Sequence, residues 1–313
     1  MIGSTAPQPS RKASDPSSAQ DDSEGDGARA QRVTGHASDA ESRRGLQGHL
    51  DLVCAVDAQG RSYIREQSFS APIHLSKPHL DEGILVVNVA NPTAGLFAGD
   101  RIQYRIGVES GASLLLTAPS ASRAHRIVAG DARVEQEFHV AAGAWLESWP
   151  ELFIPQGGAV YRQRTEARIE EGGEALLIEM IAPGRTASGE VFAFAELDWT
   201  TEVFLGAEKI ARERYLLRPD SPTLAAMRNR FPEAYYASCI IVSPRLRADD
   251  ACWQRIHDLH GDEACVGCSA LVRGGWAMRV LASGSIPLRK TIAEIRRELY
   301  AALGRHMPAL RRN

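Results

Sequence analysis

A strand, a glycine turn and a second strand recur about every thirty residues along this 313-residue chain, and few folds accommodate that rhythm. Ile102–Val108 alternates apolar and polar residues, turns at Glu109-Ser-Gly111 and resumes over Ala112–Thr117. Val134–Val140 turns at Ala141-Ala-Gly143 and resumes over Ala144–Glu147. Thr165–Ile169 turns at Glu170-Glu-Gly-Gly173 and resumes over Ala175–Met180. Thr201–Leu205 turns near Gly206 and resumes over Lys209–Tyr215. The turn glycines Gly111, Gly143, Gly173 and Gly206 are spaced by 32, 30 and 33 residues. Period-two alternation buries one face of a strand, and glycine reaches the positive φ of a tight turn without a Cβ clash. Repeated hairpins stacked into layered sheets give such a period, so the spacing predicts a mainly β, β-helix-like architecture. An ordinary β-sandwich with coincidental spacing is the alternative.

Two helices are expected to interrupt the β pattern in the C-terminal part. Asp249 or Asp250 can N-cap a helix carrying Cys252, Trp253, Ile256 and Leu259 and ending at Gly261. Leu288, Ile292, Ile295, Leu299 and Leu303 follow 3–4 spacing up to a stop at Gly304. Between them Ser269–Val272 and Trp276–Leu281 read as a hairpin about Arg273-Gly-Gly275.

Composition sets the outer limits. Residues 1–45 contain no aromatic residue and, beyond Met1 and Ile2, only Val33 as a large aliphatic one. Such a segment buries too little to offset its chain entropy, so a disordered tail is expected there, with a folded domain over 46–304 and a basic tail over 305–313. A formal net charge of −3 argues against nucleic-acid binding, which needs surplus Lys and Arg. Apolar runs are strand-sized, and the N-terminus lacks the basic and apolar regions of a secretory signal. Five cysteines in so long a chain suggest no disulfide framework, and a cytoplasmic setting is expected.

No phosphate-binding glycine loop, dinucleotide fingerprint, zinc-protease helix or nucleophile elbow is present. His257, His260, Cys265 and Cys268 are ligand types that suit Zn²⁺ or Ni²⁺. The same four residues also read as an ordinary helix face and small buried cysteines. Three loops are denser than folding alone requires. Asn91-Pro-Thr-Ala-Gly-Leu-Phe-Ala-Gly-Asp-Arg101 carries Pro92, Gly95 and Gly99 and ends on Asp100, either a backbone cap or a hard oxygen ligand. Thr117-Ala-Pro-Ser-Ala-Ser-Arg-Ala-His125 is rich in hydroxyls. Pro183-Gly-Arg-Thr-Ala-Ser-Gly-Glu190 offers an Arg–Glu bridge, structural or functional.

These loops, in this order, resemble the urease accessory protein UreD family, also called UreH. The counterparts of its motifs are Asn91–Asp100, Thr117–Arg123, Glu147–Pro150 with Ile154-Pro155, and Gly184–Glu190. Ala94 and Ala98 replace the family's usual glycines, Ala118 and Ser122 its threonines, and Arg123 its lysine. The two alanines require negative φ or strain. The resemblance implies a non-catalytic, chaperone-like maturation factor that binds urease apoprotein and UreF, with UreF recruiting the GTPase UreG. It also implies a dimer within the accessory complex, and no tightly bound cofactor, nickel being carried transiently through the interior. Asp100, Glu190, Thr117 and Ser120 are the candidates to line that path. Pro92, Gly95, Gly99, Arg123, Pro150, Gly184, Arg185 and Gly189 are candidates for partner binding or loop structuring. The alternatives are a metal-dependent β-sheet enzyme using the Cys/His cluster, or a scaffold for a different partner.

Overall fold

A computed structural model describes residues 45–93 and 95–309. The expected N-terminal tail falls outside the described residues except for Gly45, as do Ala94 and residues 310–313. In chain order the strands begin with β1 (Gln47–Val56), β2 (Ser62–Phe69), β3 (His74–Leu75), β4 (His79–Asp81), β5 (Ile84–Ala90) and β6 (Arg101–Val108). Next come β7 (Ser113–Thr117), β8 (Ser122–Ala124), β9 (Ala132–Val140), β10 (Trp145–Trp149), β11 (Phe153–Pro155) and β12 (Val160–Ile169). Then follow β13 (Glu174–Ile181), β14 (Glu196–Leu205), β15 (Glu208–Leu217), helix α1 (Pro222–Arg230) and β16 (Tyr235–Val242). Helix α2 (Cys252–His257), β17 (Ala264–Ala270), β18 (Gly275–Ala282) and helix α3 (Ser285–Ala302) follow in the described residues.

The expected mainly β, layered, β-helix-like architecture is what forms, a solenoid-like stack of about four turns. One sheet runs β15-β14-β12-β9-β6-β1-β2, and the other β17-β18-β16-β13-β10-β7-β5-β3. The repeating unit differs from the expected hairpin. β6 and β7 lie in different sheets, as do β9 and β10, and β12 and β13. The turns at Gly111 and Gly143, and the one before β13, are therefore corners between sheets, and each coil pairs in parallel with the next. Gly206 alone of the four sits in a true hairpin, between antiparallel β14 and β15. At the third corner the residue with positive φ is Gly172 (φ 87°), not Gly173. Successive corners are tied by backbone hydrogen bonds, from Ala141 N–H to the Val108 carbonyl (2.9 Å), Glu170 to Val140 (2.9 Å) and Gly206 to Ile169 (2.8 Å). Stacking of this kind satisfies polar backbone that a buried turn would otherwise strand.

Burial follows the two faces of each strand. Along β12 the inward residues Tyr161, Gln163, Thr165, Ala167 and Ile169 are buried, while Arg162, Arg164, Glu166 and Arg168 face out. Outside, Arg162 bridges Asp131, Glu196 and Asp198. β13 is buried at every position, because it is covered on both sides. One core lies between the sheets and includes Leu114, Leu146, Leu177 and Phe138. A second lies between the outer face of the other sheet and helices α2 and α3, where α3 lays down Leu288, Ile292, Ile295 and Leu299.

The C-terminal helix and the β17–β18 hairpin form as the spacing predicts. α2 is shorter than expected and its N-cap is Ala251. Asp250 instead accepts a hydrogen bond from Arg247 N–H (2.7 Å). α1 is an additional helix, started by Ser221, whose side chain accepts from Leu224 N–H, and by Pro222 at its first turn. Ala98 does not occur among the described residues with positive φ, so its replacement of glycine costs no strain. No described helix is long and apolar enough to cross a membrane.

Candidate functional site

Two polar rows face each other across the otherwise apolar space between the sheets. On one sheet Tyr104, Gln136, Thr165, Thr201 and Glu213 are successive cross-strand partners on β6, β9, β12, β14 and β15. On the other, Glu179, Ser238 and Arg279 are successive partners on β13, β16 and β18. In-register pairing is the cause: one inward polar residue per strand, repeated at the same height, becomes a continuous line along the stack.

Hydrogen bonds join the rows. Thr201 Oγ1 donates to both oxygens of Glu179 (2.9 and 3.1 Å). Thr165 Oγ1 has one proton and gives it to Gln136 Oε1 (2.9 Å) rather than to Glu179, 3.4 Å away. Gln163 Nε2 reaches Glu179 at 3.4 Å, and Tyr161 OH donates to Gln163 Oε1 (2.6 Å). Further along, Glu213 accepts from Ser238 Oγ (2.5 Å) and pairs with Arg279. Burial pushes the Glu179 carboxyl above its ordinary range, opposed by the nearby Trp199 indole, the Thr201 and Thr165 hydroxyls and the charge of Arg279. Among the described residues the Trp199 N–H itself finds no acceptor in good hydrogen-bond geometry. Burial likewise lowers Arg279 to about 10, with Glu179 resisting.

Cavities lie at both ends. The first, of about 280 Å³, is walled by Pro92, Gly95, Thr117, Ser120, Arg123 and Pro150 toward the loops and by Gln136, Gln163 and Glu179 within. The second, of about 450 Å³, is mostly apolar and is walled by Phe192, Phe194 and Met227 of α1, with Tyr215, Tyr236 and Arg279 as its polar side.

The sequence candidates thus divide. The first two loops converge on the first cavity, where Thr117 Oγ1 donates to the Trp149 carbonyl (2.8 Å) and Ser120 is exposed. Asp100 and Gly99 stand outside that wall. Asp100 is buried, and its two oxygens accept from Leu46 N–H and Phe97 N–H (2.8 Å each), the capping geometry. The third loop also stands apart. Glu190 accepts from Arg185 Nε and from Gly157 N–H (2.9 Å each), which hold its carboxyl down to about 2. Gly184 (φ 141°) and Gly189 (φ 74°) shape the chain around that bridge.

The cysteine pair divides too. Three residues apart on β17, Cys265 packs toward the inter-sheet core and Cys268 toward the helix-covered core. Cys265 Sγ accepts from Arg230 Nε (3.1 Å), and His260 Nδ1 lies 3.3 Å from Val266 N. Burial raises the Cys268 thiol to about 11. Among the described residues no three His, Cys, Asp or Glu side chains gather as a metal site.

Sequence reasoning missed Glu179, Thr201, Glu213 and Arg279. The available signal was Glu179 itself, a single carboxylate inside the apolar run Ala175-Leu-Leu-Ile-Glu-Met180. A charge there is tolerated only with partners.

Residues 46–313 match the family model described as UreD urease accessory protein. A protein of Opitutus terrae described as urease accessory protein UreD is 41% identical over 261 residues, covering 82% of this chain and 96% of its own length. Proteins of the same description from Deinococcus radiodurans (30% over 267 residues, 83% and 94%) and Acetivibrio thermocellus (28% over 266 residues, 83% and 100%) are also similar.

Proposed function

The chain belongs to the UreD family of urease accessory proteins, and from that premise we propose that it carries nickel through its own interior toward the urease apoprotein. Its role is in urease maturation, within the urease accessory complex. In the proposal it acts as a cytoplasmic, non-catalytic scaffold. It binds urease apoprotein and UreF, and UreF brings the GTPase UreG. Nickel is cargo, held transiently, and the chain keeps no tightly bound cofactor.

The observation that supports a path is the pair of polar rows between the two cavities. A conduit must bind its ion well enough to admit it and weakly enough to let it go. Hydroxyl and amide oxygens with one carboxylate form a weak oxygen environment for a divalent ion. Thr117 and Ser120 belong to the entry in this reading, and Glu179 with Thr201 to the interior. Asp100 and Glu190, which cap and brace their loops, contribute by holding the surfaces that meet the partners.

The test is co-expression of urease and its other accessory proteins with the wild-type chain, with Glu179→Gln, or without it. Urease nickel content and activity are scored against the amount of complex recovered. Loss of nickel in Glu179→Gln with complex assembly intact is expected. Full activation by that variant would reject an interior path through this residue.

A further inference from the structure

The polar rows end at an ion pair that a pure conduit has no need of. Glu213 on β15 and Arg279 on β18 meet across the space between the sheets, and Glu213 is buried, with Ser238 as its only other hydrogen-bonding partner among the described residues. Arg279 and Glu179 occupy the same cross-strand row, with Ser238 between them. Two interior carboxylates thus share the influence of one guanidinium. Its head also donates from Nη1 to the Met278 carbonyl (2.9 Å), yet the side chain keeps 35% of its exposure and forms part of the wall of the 450 Å³ cavity, the space it would move into.

Resting on the reading above, we propose that Arg279 is the resident countercharge of the path, and that a divalent cation must displace it to be held by Glu179 and Glu213. The displaced guanidinium moves toward the second cavity, where the Tyr215 and Tyr236 rings already line its wall. Charge balance gives the reason for such a device. Two unpaired buried carboxylates beside hydroxyls would hold a dication too firmly to release it, because Coulomb attraction is large where water is excluded. A tethered monovalent cation competes for the Glu213 oxygens at a fixed, high local concentration, and acts on Glu179 through its charge. Entry of the dication and outward movement of the guanidinium are then one exchange, and its reversal releases the ion. Arg279 on this account sets the affinity of the path without being a ligand in it.

The experiment measures nickel(II) binding to the purified full chain by competition with a coloured chelator. The proteins are wild type, Arg279→Lys, Arg279→Gln, Glu179→Gln and Arg279→Gln/Glu179→Gln, each checked for folding by its melting transition. Arg279→Gln is expected to bind about tenfold tighter or more, the scale of removing one nearby opposing charge at intermediate dielectric. Arg279→Lys keeps the charge but loses the planar fork, and falls between wild type and Arg279→Gln. Adding Glu179→Gln to Arg279→Gln abolishes the gain. If neither Arg279 variant binds more tightly than wild type while Glu179→Gln still weakens binding, the countercharge idea is overturned and the path survives. If Glu179→Gln changes nothing in either background, the interior path itself falls. Should Arg279→Gln fail to fold, Arg279→Lys decides: affinity equal to or below wild type rejects the proposal.

Discussion

Glu147 and Glu179 stand on neighbouring parallel strands, both buried, and the molecule treats them in opposite ways. Glu147 faces the helices. Arg296 of α3 grips it with two nitrogens (2.5 and 2.9 Å), and Tyr300 OH donates at 2.5 Å. That carboxylate is a fastener, with each oxygen answered by a dedicated donor. Glu179 faces the space between the sheets and receives hydroxyls and a distant amide, with no cation in direct contact among the described residues. A buried charge fully paired serves position. One only partly satisfied stores unspent capacity to bind, and burial raises its pKa accordingly. The difference teaches where to look for function in a stacked-sheet protein: on the face turned away from the C-terminal helix.

The comparison breaks most visibly in stability. Arg296→Met should cost about 3–5 kcal/mol by stranding Glu147, and urea unfolding followed by circular dichroism measures it. Replacing both partners, as Glu147→Leu/Arg296→Met, should recover most of that loss. A loop control comes next. Gly184→Ala would drive a Cβ into the Glu190 carbonyl at φ 141° and should cost about 2 kcal/mol. Glu179→Gln, by contrast, should leave stability within about 1 kcal/mol of wild type or above it, because a neutral amide needs less solvation. A cost like that of Arg296→Met would erase the distinction between the two carboxylates.

The smallest effect separates the carboxylates by pH. Glu190 is depressed to about 2 from an ordinary 4.5, so its contribution is complete above that ordinary value and lost as pH falls toward about 2. Glu179 is raised, so the folded chain keeps a proton that the unfolded chain has released. Its penalty is absent below the ordinary value of 4.5 and grows as pH rises through the folded pKa. Melting temperatures of Glu190→Gln and Glu179→Gln across that range should therefore diverge from wild type at opposite ends. Glu190→Gln matters least, since its bridge to Arg185 is solvent-screened.

The stack was legible because its rhythm is local: alternation, then a turn residue, then alternation. Whether Glu109-Ser-Gly111 folds back as a hairpin or crosses to a second sheet was not, because parallel pairing depends on a strand about thirty residues away, and the turn chemistry is the same in both cases. α3 announced itself through its apolar stripe. α1 could not, having only Leu224 buried and no stripe to read. The loops around the first cavity were legible as dense clusters. The rows behind them were not, since Gln136, Thr165 and Thr201 are unremarkable alone and acquire meaning only when register sets them side by side. Asp100 was legible as a turn carboxylate, and geometry then chose capping between its two readings.

The parallel coils stop at antiparallel strands, β2 beside β1 and β15 beside β14. Those strands fix how many layers the stack contains, and hence a length. Five strands separate into four steps from Tyr104 to Glu213, each about 4.8 Å, so the row is roughly 19 Å long. The coil count is a ruler: a relative with one more layer would add one step of about 4.8 Å and one more polar position to fill.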